Sequence, residues 1–141
     1  MVPLTLEQMN GWMEVGPFTA FSRARITHAD LDAQTLVMVM PQRAEFERAP
    51  GSGQWHGGTI ACLVDTAGCM VVSMMHGSAV PTVNFRIDYL RPAIQTDLTA
   101  RASVRRLGKS IAVADVEVFN DKNQLLALGR ATFGTVGAPS A

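Results

Sequence analysis

The stretch Trp55-His56-Gly57-Gly58-Thr59-Ile60-Ala61-Cys62-Leu63-Val64-Asp65 holds the residue types best suited to chemistry. Gly57-Gly58 stands where a helix begins. The first N–H groups of a helix have no partner inside it, and glycine leaves them open to a ligand. The helix dipole adds partial positive charge at the same point, so a developing oxyanion would be stabilised there. The other reading is conformational: the two glycines simply let the loop turn into the helix. Asp65 is the second feature. No other Asp, Glu, Lys or Arg occurs between Arg48 and Arg86, and Asp65 falls in the middle of a helix that is otherwise apolar. A buried, unpaired carboxylate is costly, so this one needs hydrogen-bond partners, a proton or access to water. Either it clamps a neighbouring element or it acts on a substrate. Around the helix, Gly58, Ala61, Cys62, Asp65, Gly68 and Cys69 share one face, and these small neighbours leave the carboxylate uncovered.

Spacing links the two features. Asp65 lies eight residues beyond Gly57, which is about 12 Å along a helix axis. A catalytic carboxylate works within roughly 3 Å of its target, so Asp65 cannot serve the N-terminus of its own helix. Two antiparallel copies about a two-fold axis could bring each Asp65 to the other chain's Gly57. If both features are catalytic, the protein is at least a dimer. His56 can bind substrate, act as a base, or hold the loop by bonding to backbone. Arg105, Arg106 and Lys109 cluster at a strand turn, as an ordinary solvated hairpin or as a patch for a phosphorylated ligand. Other motifs fail. Gly108-Lys109-Ser110 looks like the end of a phosphate-binding loop, but Ser103 stands where its first glycine is needed and no helix follows. There is no Gly-x-Ser-x-Gly elbow. Cys62 and Cys69 have no nearby His and no zinc spacing, so neither a thiol nucleophile nor a metal is expected.

The elements that must carry these residues follow from periodicity. A short helix is expected from Thr5 as N-cap through Leu6, Met9 and Met13, ending before Pro17. Phe18 to Ile26 and Thr35 to Met40 read as strands joined by a polar turn from Thr27 to Gln34. Ala49 to Gln54 is a loop broken by Pro50, Gly51 and Gly53. Gly57 to Met75 forms the one long helix, and it is apolar on nearly every face, which places it inside the fold. After Pro81 the period changes to two, with Val83, Phe85, Ile87 and Tyr89 alternating with Thr82, Asn84, Arg86 and Asp88. Pro92 ends that strand. Leu98 to Leu107, Ile111 to Asn120 and Leu125 to Thr135 are three more strands. Gly108-Lys109 and Asp121-Lys122-Asn123 join them as an antiparallel meander. One buried helix and five or six strands make an α+β domain, with the helix laid across a curved antiparallel sheet.

Composition sets outer limits. The 141 residues fit one domain, read as residues 1–141, and 48% hydrophobic content supports a core without disulfides or metals. Twelve basic and twelve acidic residues cancel, which argues against nucleic acid or an acidic membrane as partner. The two cysteines are too far apart along one helix for a disulfide and suit a reducing, cytoplasmic setting. The N-terminus shows no signal peptide, and the uncharged run from Thr66 to Phe85 is too broken by Gly68, Gly77 and Pro81 to cross a membrane as one helix.

His56-Gly57-Gly58 followed by Asp65 resembles the hotdog thioesterases of the phenylacetate-degradation (PaaI-like) group. The run from Thr82 to Ala93, the pair Gly108-Lys109 and the closing segment from Leu126 to Phe133 are similar to that family in kind and order, over residues 18 to 135. The resemblance implies a hotdog fold, with a long central helix wrapped by a curved antiparallel sheet. It implies subunits paired edge to edge, and dimers paired into tetramers. It implies hydrolysis of an acyl-CoA to free acid and CoA, with no cofactor. By position, Gly57 would donate its N–H to the thioester carbonyl, beside Gly58 and His56. Asp65 of the neighbouring chain would be general base or nucleophile, and Thr82 would help place the water or the carboxylate. Gly108 and Lys109, with Arg106 nearby, fall where CoA is contacted. The chain departs from the family at Pro50, which replaces an Asn and lacks both a side-chain donor and an N–H; Gln54 or Ser52 would have to substitute. That departure keeps a second reading open, a non-catalytic acyl-CoA-binding or regulatory protein. A hydratase of the same fold would pair a His with an acid in a different order along the chain.

Overall fold

The computed structural model describes residues 2–136; Met1 and residues 137–141, which the expected span of 1–141 includes, lie outside the described residues. A capping box starts helix α1 (Leu6–Val15): Thr5 accepts from the Gln8 N–H while the Gln8 side chain accepts from the Thr5 N–H. Met9 and Met13 face inward from it.

The expected strand from Phe18 to Ile26 is not there. Helix α2 (Pro17–Ser22) occupies most of it, and strand β1 (Arg25–Asp30) begins later and runs through half of the expected polar turn. Pro17 is the cause. Besides ending α1, it sits in the first turn of α2, where its fixed φ and missing N–H suit a helix start. Thr19 Oγ1 donates to the carbonyls of Met13 and Gly16, tying the two helices together, and a left-handed Arg23 ends α2.

Strand β2 (Thr35–Met40) alternates as expected, with Leu36, Met38 and Met40 buried. A 3-10 turn (Ala44–Phe46) and the glycine-broken loop lead to α3 (Gly57–His76), which Gly77 ends in the left-handed region. Strands β3 (Thr82–Tyr89), β4 (Leu98–Leu107), β5 (Ile111–Phe119) and β6 (Leu125–Gly134) follow. All six strands form one antiparallel sheet in the order β1-β2-β4-β5-β6-β3. The β4-β5-β6 meander is as expected, and β3 lies on the outer edge beside β6.

The sheet wraps α3 closely because its inner face is lined by small residues: Ala100, Ala102, Ala112, Ala114, Ala127 and Ala131 are all buried. Two glycines mark the tightest contacts. A Cβ on Gly129 of β6 would lie 2.4 Å from Val64 Cγ1 of the helix, and one on Gly68 of the helix would lie 3.1 Å from Phe133 Cζ of β6. Gly68 thus faces the core rather than the open side shared by Asp65. By length and composition α3 could cross a bilayer, but here the sheet covers much of it.

Candidate functional site at the start of the central helix and the edge strand

The loop before α3 is anchored so that the helix begins at one place. Trp55 stacks on Phe46 with ring centroids 5.5 Å apart, and its indole N–H donates to Thr96 O at 2.9 Å. The His56 N–H donates to Phe46 O at 2.7 Å. His56 is the N-cap: its Nδ1 accepts from the Gly58 N–H at 2.8 Å. The imidazole therefore carries its proton on Nε2 and closes off the Gly58 donor. The Gly57 N–H makes no hydrogen bond among the described residues.

Asp65 is partly exposed on α3, and its Oδ1 accepts from Thr82 Oγ1 at 2.8 Å. Thr82 opens β3. At the other end of β3, the Tyr89 phenol donates to the Gly57 carbonyl. The edge strand is thus fastened to the helix at both ends, at the carboxylate by Thr82 and at the glycine by Tyr89. Tyr89 is not among the residues the sequence marks for chemistry; it lies in the period-two run and in the Thr82 to Ala93 stretch, and neither gives it a role. Within one protomer Gly57 and Asp65 remain two turns apart on α3 and do not share a site.

The other expected residues lie around this strand. Gly108 turns β4 into β5, its N–H donating to Ile111 O and its carbonyl accepting from Thr135 Oγ1. This turn lies at the Thr82 end of β3, because Thr135 N–H reaches Ser110 O and Gly134 N–H reaches Pro81 O. Arg106 and Lys109 are exposed there. Gln54 pairs through its backbone with Ile94 on the loop before His56, and its side-chain amide has no hydrogen-bond partner among the described residues. The Ser52 hydroxyl accepts from the Gln54 N–H.

Burial, and next the nearby Asp65 charge, raise the Cys62 thiol above its usual range. Burial is also the largest of several effects that leave Cys69 raised. Both thiols stay protonated near neutrality, which disfavours either as nucleophile. No group of three or more His, Cys, Asp or Glu able to hold a metal ion occurs among the described residues.

The model of the thioesterase superfamily matches residues 52–127, more than half of the chain and all of the helix and edge strand just described. The chain belongs to that superfamily. An X-ray structure of another protein of the thioesterase superfamily superposes with a TM-score of 0.85 at 32% identity, covering 92% of this chain and 96% of that one. The Escherichia coli PaaI structure superposes with a TM-score of 0.80 at 27% identity, over 95% of this chain and 98% of that one. In sequence the chain is 36% identical to Escherichia coli acyl-coenzyme A thioesterase PaaI over 88 residues, 62% of each chain. It is 38% identical to a putative esterase of Halobacterium salinarum over 98 residues, 60% of this chain and 62% of the relative. The match spans less than two thirds of the length of these curated relatives. The wrapped helix is therefore that of a hotdog thioesterase-superfamily fold, as the resemblance implied.

Proposed function

We propose that this member of the thioesterase superfamily hydrolyses an acyl-CoA to a free acid and CoA in a site shared by two subunits. The observation that carries the reading is the edge strand fastened at one end to Asp65 and at the other to Gly57. Its outer edge pairs with no other strand among the described residues. Val83, Tyr89, Leu90 and Ile94 are 63%, 50%, 47% and 51% exposed on or just beyond it. Such an apolar edge calls for a partner strand, and a second copy supplies one. Antiparallel pairing of two β3 strands about a two-fold axis sets the Thr82 end of one against the Tyr89 end of the other. Asp65 then approaches Gly57 of the partner subunit.

In that site the partner's Gly57 offers its unengaged N–H, with the helix dipole behind it, to the thioester oxygen. Asp65, held by Thr82, takes a proton from water as the water attacks the carbonyl carbon. The negative oxygen of the tetrahedral intermediate is held by the partner's Gly57. Collapse breaks the carbon–sulfur bond and the CoA thiolate leaves, recovering a proton from Asp65. Direct attack by the carboxylate gives an anhydride that water then opens, and the same residues serve. His56 caps the donor turn, with Gly58 as the capped N–H. Gln54 presents the unpartnered amide in place of the side chain lost at Pro50. Gly108, Lys109 and Arg106 receive the CoA phosphates at the Thr82 end. The relatives named as thioesterases support this chemistry, and the free thiols of Cys62 and Cys69 suit a cytoplasmic protein.

The test is release of free thiol from a panel of acetyl-, octanoyl-, palmitoyl- and phenylacetyl-CoA. Asp65→Asn should lower turnover by at least about 100-fold, the low end for loss of a general base, with the oligomer unchanged by light scattering. The same light-scattering run reads dimer against tetramer. An Asp65→Asn protein that hydrolyses as fast as the parent refutes the mechanism. Tight acyl-CoA binding without thiol release favours the binding-protein reading that Pro50 raises.

A further inference from the structure

The geometry points to Tyr89 as a positioning residue for turnover, one that holds the Gly57 backbone so that its N–H faces the thioester carbonyl. The inference rests on the thioesterase reading above. An oxyanion donor is effective only when its direction is set before the charge develops, yet the donor here is the first of two glycines, the residue with the most backbone freedom. Something outside the glycines must hold them.

Two side chains do so. The Tyr89 phenol donates to the Gly57 carbonyl, and His56 Nδ1 accepts from the N–H of Gly58 at 2.8 Å. These are the two ends of the 57–58 peptide group, so that plane is gripped from both sides. The 56–57 group, which carries the Gly57 N–H, meets it at the Gly57 Cα and has its own carbonyl, His56 O, accepting from the Thr59 and Ile60 N–H groups at 3.0 and 3.3 Å, so fixing the 57–58 plane removes the freedom left at the glycine. The phenol ring also covers the residue. A Cβ on Gly57 would lie 3.3 Å from Tyr89 Cζ and from its oxygen, so the ring fills the space next to the glycine Cα. His56 is fixed in turn by its own N–H to Phe46 O at 2.7 Å. Tyr89 stands apart from these because it comes from β3. The strand whose far end carries the Thr82–Asp65 bond also reaches back to the helix start, so displacement of the edge strand would disturb the donor and the carboxylate together.

A carbonyl can only accept, so the phenol must keep its proton to make this bond. Tyr89→Phe removes the bond and keeps the ring. It is measured in the intact oligomer beside Asp65→Asn, on whichever acyl-CoA of the panel above the parent hydrolyses fastest. The expected result is a kcat about tenfold lower with KM within about twofold, the scale of one neutral hydrogen bond. The oligomer should stay as in the parent, and the melting temperature should fall by no more than the roughly 4 °C that one neutral hydrogen bond is worth. The parent should also lose kcat at alkaline pH as the phenol ionises, and Tyr89→Phe should lack that limb. Unchanged kcat, a raised KM with kcat intact, or loss that tracks dissociation of the oligomer overturns the inference. If Asp65→Asn is inactive and Tyr89→Phe is fully active, only the role of Tyr89 falls. If Asp65→Asn is as active as the parent, or the parent hydrolyses nothing, the thioesterase reading falls and takes this inference with it.

Discussion

Replacing Thr82 by Val isolates the contact that sets the carboxylate. Val has nearly the same shape, suits a strand, and removes only the hydroxyl that donates to Asp65 Oδ1 at 2.8 Å. A hydrogen bond to a charged group contributes about 1.5–3 kcal/mol. Thr82 is exposed at the sheet edge, so water can replace part of the bond and the lower end applies, about 1.5 kcal/mol or roughly tenfold in rate. Thiol release under saturating acyl-CoA is the assay. Thr82→Val should lower kcat about tenfold, and Thr82→Ser, which keeps the donor, should stay within about threefold of the parent. The same change made on top of Asp65→Asn should cost far less, because the hydroxyl acts only through the carboxylate. Full activity of Thr82→Val, or an equal loss in both backgrounds, would refute the reasoning.

Gly129→Ala tests the helix–sheet contact. The added methyl would lie 2.4 Å from Val64 Cγ1, so overpacking should cost about 1–3 kcal/mol and lower the thermal midpoint by roughly 4 °C for each kcal/mol. Val64→Ala in the same chain should recover part of that loss, and purely additive melting shifts would count against the contact. A pH prediction follows from Tyr89, the one tyrosine in the chain. Burial first, and the Cys62 thiol second, push its phenol above the ordinary value. A raised folded-state value means stability fully present below the unfolded pKa of about 10 and lost as pH rises through the folded one. Ultraviolet titration near 295 nm reads this residue alone. The native midpoint should lie above the denatured one, and a native midpoint at or below it would contradict that upward shift of the half-exposed phenol.

Periodicity made most of the fold legible. The apolar run of α3, the alternation of β2 and β3, and the short turns of the meander each imply their element by local rules, and the helix and strands appear where those rules place them. The segment after Pro17 failed for a physical reason. Phe18 and Phe21 suit a strand or a short helix, and the choice was made by Pro17 at a helix start and by Thr19 bonding back to α1. Counting around the helix sets Gly68 beside Asp65, but Phe133 covers it. A helical wheel gives angles, not the position of the sheet.

By itself the sequence determined the kinds of chemistry available: a glycine pair at a helix start, one carboxylate two turns on, and too great a distance between them for one helix to use both. Those facts depend only on residue type and helix rise. Tertiary structure alone decided what each group touches. It put Thr82 on Asp65 and Tyr89 on Gly57 through contacts 17 and 32 residues apart in the chain. It also left β3 at the sheet edge with its outer side unpaired among the described residues. Contacts so distant in sequence depend on strand order, and strand order is set by how the whole sheet closes on its helix rather than by any local pattern.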